Sequence, residues 1–230
     1  MPSLEADESA FLQAVGKQTF TSPPRVLIIG AGSRGTAYAE AAQSSTNSIV
    51  AAVCEPNDYK RAEFGRKFIW GDGKEPKEHQ AFRDWKDWRF YEMKRMSDER
   101  CYGRKVEKRV DAVFVCVLDE MHEEVVCGIA GLGVHISCEK PMSTRLDSCM
   151  KMYRALRVAE GMDKIQKKIF GICHVLRYSP HNMLLRHLVL EKDVIGDVLS
   201  IEHVEPVGWW HFSHSYVRYD IYFHCHKTSC

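Results

Sequence analysis

One short stretch restricts this chain more than any other: Val26 to Ile29, apolar and rich in β-branched residues, runs straight into Gly30-x-Gly32-x-x-Gly35. A continuous apolar run closed by glycine reads as a strand buried on both faces. The three glycines then have separate mechanical tasks. Gly30 permits the tight turn, Gly32 lets backbone approach a pyrophosphate, and Gly35 lets the following helix pack close to the strand. Ala37, Ala39, Ala41 and Ala42 continue as a small-residue helix, whose start offers unpaired N–H groups and a positive dipole end to phosphates. Ile49 to Val53 makes a second strand, and Glu55 stands at its end, 20 residues after Gly35, where a carboxylate accepts hydrogen bonds from a ribose. A glycine loop alone is a weak signal. Strand before, helix after and acid at the end of the next strand together read as a dinucleotide cradle, with an S-adenosylmethionine methyltransferase as the competing use of such a loop.

A length of 230 residues allows one large or two small domains with a sizeable core. Lys and Arg number 32 against 31 Asp and Glu, a net charge of +1, so no global field favours nucleic acid or an anionic membrane. No apolar run approaches the roughly 20 residues that span a bilayer. The N-terminus, with Glu5, Asp7 and Glu8, lacks the basic-then-apolar layout of a signal peptide. Of nine cysteines, Cys54, Cys116 and Cys138 fall in or at the ends of predicted strands, where thiols behave as small apolar groups. A reducing, cytoplasmic setting follows.

Residues 1–24 read as a mobile leader with a short helical patch around Phe11 to Val15. After Glu55, Asn57 or Asp58 caps a helix over Tyr59 to Phe68, and Gly71 to Pro76 is a loop. Phe82, Trp85, Trp88, Phe90 and Tyr91 among many charges suggest an amphipathic helix ending near Arg100. Aromatic rings between basic residues also suit a nucleic-acid surface, but acids in the same stretch favour rings packed inward and solvated charges. Asp111 to Leu118 is a strand, Asp119 to Ala130 a helix that carries His122 near its start, Val134 to Cys138 a strand leading into Glu139-Lys140-Pro141, and Leu146 to Ala159 a helix. Strands alternating with helices predict an α/β fold, a doubly wound parallel sheet over residues 25–165. Ligands of such sheets lie beyond the carboxyl ends of the strands, where Glu55, His122, Glu139 and Lys140 all fall. Beyond Lys168 the pattern changes. Ile169 to Val175 as a strand, His181 to Leu190 as a helix and Val198 to Phe212 as extended chain predict an incomplete α+β second domain over residues 166–230, with an antiparallel or mixed sheet.

These pieces resemble the glucose–fructose oxidoreductase, inositol dehydrogenase and rhizopine-catabolism group (Gfo/Idh/MocA). The matching residues are Gly30 to Gly35, Cys54-Glu55-Pro56, the strand leading to His122, Glu139-Lys140-Pro141, and Arg177 with Pro180 followed by Ile195-Gly196-Asp197-Val198. The tripeptide Glu139-Lys140-Pro141 is more specific than the glycine loop and argues against the methyltransferase. The resemblance implies a Rossmann domain that binds NAD or NADP and a second domain whose sheet covers a sugar, polyol or related substrate. It implies cofactor contacts from Gly30, Gly32, Ser33, Arg34, Gly35, Glu55, Val117, Leu118, Glu139, Lys140 and Pro141. Lys140 is implied as proton relay or oxygen polariser, since partial burial brings a lysine pKa into a useful range. His122 is implied as its catalytic partner at the cofactor or substrate edge, a packed or capping histidine being the alternative. Arg177 is implied as a substrate ligand or the partner of a carboxylate. Glu55 favours NAD, because its charge repels a 2′-phosphate, while Arg34, Lys60 and Arg61 keep NADP open.

The departure from the family pattern is at the C-terminus, where the chain reads as truncated. Asp220 and His224 have the spacing of the family's Asp-x-x-x-His pair without its lead-in. His211, His214, His224, Cys225, His226 and Cys230 match no standard zinc spacing, so no metal is expected. The function that follows is NAD(P)-dependent hydride transfer to or from a sugar, polyol or related hydroxy or carbonyl compound. The alternative is a non-catalytic dinucleotide-binding regulatory protein or an inactive truncated form. Expected partners are a small-molecule substrate and a second copy through the second domain, with no nucleic acid and no membrane. An unfinished sheet also predicts self-association through exposed strand edges.

Overall fold

The computed structural model describes residues 20–162, 168–206 and 208–209. Six strands form one sheet in the order β3-β2-β1-β4-β5-β6: β1 (Arg25–Ile29), β2 (Ile49–Cys54), β3 (Ala81–Phe82), β4 (Ala112–Val115), β5 (His135–Cys138) and β6 (Phe170–Ile172). Every pairing is parallel. Helices α1 (Ser33–Ser44), α2 (Asp58–Phe68), α3 (Trp85–Tyr102), α4 (His122–Ile129) and α5 (Leu146–Met162) fill the connections, and α6 (Pro180–Arg186) follows β6. Winding outward in both directions from β1 and β4 makes the doubly wound architecture that the alternation predicts.

The apolar run of β1 divides between two cores, which is why it is continuous rather than alternating. Val26 and Ile28 pack with Ala39 of α1 and Phe64 and Phe68 of α2. Leu27 and Ile29 face Val113, Ile136, Trp88 and Val125, beneath helices α3 to α5. The rings of the charged stretch behave as the charge balance implies. Trp85 and Trp88 are buried, Tyr91 packs against the same core, and Phe90 alone faces outward. Asp84 and Asp87 close a capping box at the start of α3, and Gly103 at φ 60° ends it.

Four expectations change. Phe82 lies not in the helix but in β3, paired with Cys54. The strand placed at the start of a second domain is β6, paired in parallel with β5, so it completes the first sheet. The chain divides instead after Leu184, with a second unit from Leu185 to Cys230. Within that unit a single turn of π-helix covers His187–Glu191. No strand forms among the described residues after Ile172, so the expected second sheet over 198–206 is not observed. The rest of that stretch, the leader patch around Phe11, the Asp220–His224 pair and the histidines and cysteines from His211 onward lie outside the described residues.

Candidate functional site

Because all strands are parallel, their carboxyl ends share one rim, and the ladders continue one residue past each end. Gly30 N–H donates to Cys54 O at 2.8 Å, Glu55 N–H to Phe82 O at 3.0 Å, Cys116 N–H to Ile29 O at 2.8 Å and Glu139 N–H to Val115 O at 2.9 Å. Gly30, Glu55, Cys116 and Glu139 therefore form a row in which the sheet itself fixes each backbone. Three of the predicted site residues, Gly30, Glu55 and Glu139, thus stand on one rim.

Gly30 sits at φ +98°, and a Cβ there would lie 2.5 Å from Cys116 O; a Cβ on Gly35 would lie 2.0 Å from Gly30 O. The turn is possible only with both side chains absent. Gly32 differs. It is the N-cap of α1 and has open space around its α-carbon, with nothing within 4 Å of a Cβ. No side chain caps α1, and its first turn holds no acid. The free N–H groups that begin every helix are thus presented beside an open space, with exposed Ser33 and Arg34 at its edge. That is a fit for a diphosphate.

Glu55 is buried to 9% exposure. Its Oε2 accepts the Ala31 N–H at 2.9 Å and its Oε1 the Asn57 N–H at 3.0 Å. Each oxygen keeps a lone pair, so the carboxylate is fixed toward the glycine loop with accepting capacity to spare for ribose hydroxyls. Asn57 caps α2 by accepting the Lys60 N–H at 3.0 Å.

Beyond β5, Glu139 is buried and accepts the hydroxyl of Tyr38, which the sequence reading had not singled out. Burial, then the bond to Glu139, pushes the Tyr38 pKa far above its usual value. The same ring stacks on Phe114 at 5.3 Å between centroids. The only sequence signal for Tyr38 was its place on the α1 face that returns to the sheet. Lys140 and Pro141 are exposed at the rim, joined by a cis peptide bond. Val117 is partly buried, and Leu118, 54% exposed, precedes the short 3-10 turn Asp119–Met121.

His122 requires a correction. Its side chain is fully buried, with Nδ1 2.8 Å from Pro141 O and Nε2 3.3 Å from Val117 O. Both ring nitrogens face backbone carbonyls, so none is left for a ligand. The residue ties the turn after β4 to the turn after β5, the packed alternative rather than the catalytic one. Arg177 lies exposed in a 3-10 turn, Val175–Tyr178, just past β6. Among the described residues no group of three or more His, Cys, Asp or Glu is arranged to hold a metal, and no helix is long and apolar enough to cross a membrane.

The profile of a family described as "Oxidoreductase family, NAD-binding Rossmann fold" matches residues 24–162. The chain is 28% identical over 131 residues to the 2,7-anhydro-N-acetylneuraminate hydratase of Escherichia coli K12, covering 54% of this chain and 33% of that protein. It is 29% identical over 103 residues to inositol 2-dehydrogenase 2 of Saccharopolyspora erythraea, covering 45% and 28%. Among solved structures, an inositol dehydrogenase homologue from Azotobacter vinelandii complexed with NAD+ superposes with a TM-score of 0.59 at 16% identity, covering 79% of this chain and 41% of that one. The chain spans about a third of the length of these two curated relatives, 33% and 28%.

Proposed function

We propose, from the premise that this chain belongs to the Gfo/Idh/MocA oxidoreductase family, that it transfers a hydride between a nicotinamide cofactor and a hydroxyl- or carbonyl-bearing carbon of a sugar, polyol or related compound. The observation that carries the reading is the single constellation of the Gly30–Gly35 turn, the open start of α1 and the Glu55 carboxylate bonded to Ala31 N–H. The inositol dehydrogenases among its relatives support a polyol-like substrate.

When bound, the nicotinamide supplies the hydride acceptor or donor. The amides of Ser33, Arg34 and Gly35 hold the diphosphate, and Glu55 accepts from the adenosine ribose. Val117, Leu118 and the Glu139-Lys140-Pro141 turn border the nicotinamide half. Lys140 polarises the substrate oxygen and carries its proton, while Tyr38 and His122 hold that turn from two different helices. Arg177 binds substrate oxygens. Free thiols among the described residues support a reducing, cytoplasmic setting.

A second reading, a dinucleotide-binding regulatory protein without turnover, is favoured by one observation. With His122 closed off, Lys140 alone remains of the expected catalytic pair. Purified protein titrated with NADH and NADPH by fluorescence, then assayed for cofactor reduction on a polyol and sugar panel, separates the two. Turnover that Lys140→Ala removes while NADH still binds supports the enzyme; binding with no turnover on any member supports the regulator.

A further inference from the structure

The turn that carries Lys140 is gripped on both sides of that residue. Before it, the buried Glu139 carboxylate accepts the Tyr38 hydroxyl on Oε1 and the Lys140 N–H on Oε2 at 3.3 Å. The Glu139 backbone is fixed as well, its N–H donating to Val115 O at 2.9 Å. After it, Pro141 O lies 2.8 Å from His122 Nδ1. The two grips come from opposite faces of the sheet. Tyr38 belongs to α1, which packs on the side of Val26 and Ile28, and His122 to α4, which packs on the side of Leu27 and Ile29.

Tyr38 is built as a fixed donor rather than as an acid. Its ring stacks on Phe114, 5.3 Å between centroids and 20° between planes. Burial, then bonds to Glu139 and to Cys173, hold its proton far above the usual phenol range, so the hydroxyl stays protonated throughout the neutral range. The rim offers Glu139 no equal replacement. Cys116 and Cys173 flank it at the ends of β4 and β6, and a thiol is only a weak donor.

Resting on the oxidoreductase reading of the site, we propose that Tyr38 is a positioning residue for Lys140: its hydroxyl acts through the Glu139 carboxylate to fix the backbone from which the lysine reaches the substrate oxygen. A displacement of about 1 Å at a reacting group costs on the order of 100-fold in rate. Helix α1 then serves both halves of the site, its start the diphosphate and its second turn the lysine.

The test measures kcat, KM and the fluorescence Kd for NADH on the whole purified chain, with the member of the polyol and sugar panel that it turns over. Wild type, Tyr38→Phe, Glu139→Ala and the double variant are compared, each melted by circular dichroism. Tyr38→Phe keeps the ring on Phe114 and removes only the hydroxyl. It is expected to lower kcat and kcat/KM together by about tenfold or more, with the NADH Kd within about threefold and the melting temperature lowered by no more than about 5 °C. In the Glu139→Ala background the same change is expected to alter kcat by less than about twofold, because the group it acts through is gone. A Tyr38→Phe variant with kcat within about twofold of wild type overturns the inference and leaves the oxidoreductase reading standing. So does one whose NADH affinity falls in step with kcat, which makes Tyr38 a cofactor contact, or whose loss adds in full to that of Glu139→Ala. Wild type that binds NADH and turns over no member of the panel overturns the oxidoreductase reading, and the inference with it.

Discussion

Gly35 and Cys138 show how single residues at the rim are constrained. A Cβ on Gly35 would stand 2.0 Å from the Gly30 carbonyl, so Gly35→Ala must displace α1 from β1. We expect a loss of about 1–3 kcal/mol, the usual range for overpacking, together with loss of NADH binding, read by thermal melting and fluorescence titration. Cys138 is buried, and desolvation pushes its pKa up to about 12, well above the ordinary range of a thiol. The unfolded chain therefore releases this proton at lower pH than the folded one. The contribution to stability is whole below pH 9 and is lost progressively as pH rises toward 12. Melting temperatures should fall between pH 8 and pH 10.5, and Cys138→Ala should reduce that slope relative to wild type. An unchanged slope would remove Cys138 from the account.

At the scale of elements, the turns past β4 and β5 act as one piece through His122. Removing its ring leaves whichever of the Val117 and Pro141 carbonyls takes its N–H without that donor, at about 1–3 kcal/mol for a buried group left unsatisfied. His122→Ala should raise amide exchange in residues 117–121 and 139–142 well above any change in β1 and β2. Uniform acceleration across the sheet would mean that the histidine serves general stability instead. The parts legible in the sequence were those with local patterns: the apolar run of β1, the glycine turn, the Asn57 cap and the strand-end positions of Glu55 and Glu139. What was not legible depended on contacts across the fold. β3 and β6 have two and three residues, too short to show a period, so the sequence pattern alone groups Phe82 with the helix after it and β6 with the chain that follows. Tyr38 carries no motif, and its bond to Glu139 spans 101 residues. His122 had the right position for a ligand, and only the two carbonyls around it show otherwise.

The molecule as a whole divides into a well-packed first unit and a second unit of different character. Within the second, Leu199, Ile201 and Val204 are 95%, 84% and 77% exposed, apolar side chains set close together on unpaired chain. Such a surface favours association. Light scattering should show concentration-dependent self-association, reduced by Ile201→Lys with Val204→Lys; a monomer at all concentrations would contradict this. The first unit carries the central claim, that a dinucleotide rests on the start of α1, and Gly32 separates that claim from folding. Its φ of −80° suits any residue and a Cβ there meets nothing, so Gly32→Asp leaves the packing intact and improves the N-cap by a few tenths of a kcal/mol, yet sets a negative charge where the diphosphate is placed. Calorimetric titration with NADH, beside a thermal melt, is the direct measurement. One saturable site is expected in wild type, and in Gly32→Asp an equal or higher melting temperature with binding lost; NADH binding that survives Gly32→Asp unchanged, or is absent from wild type, would rule out a dinucleotide on the start of α1.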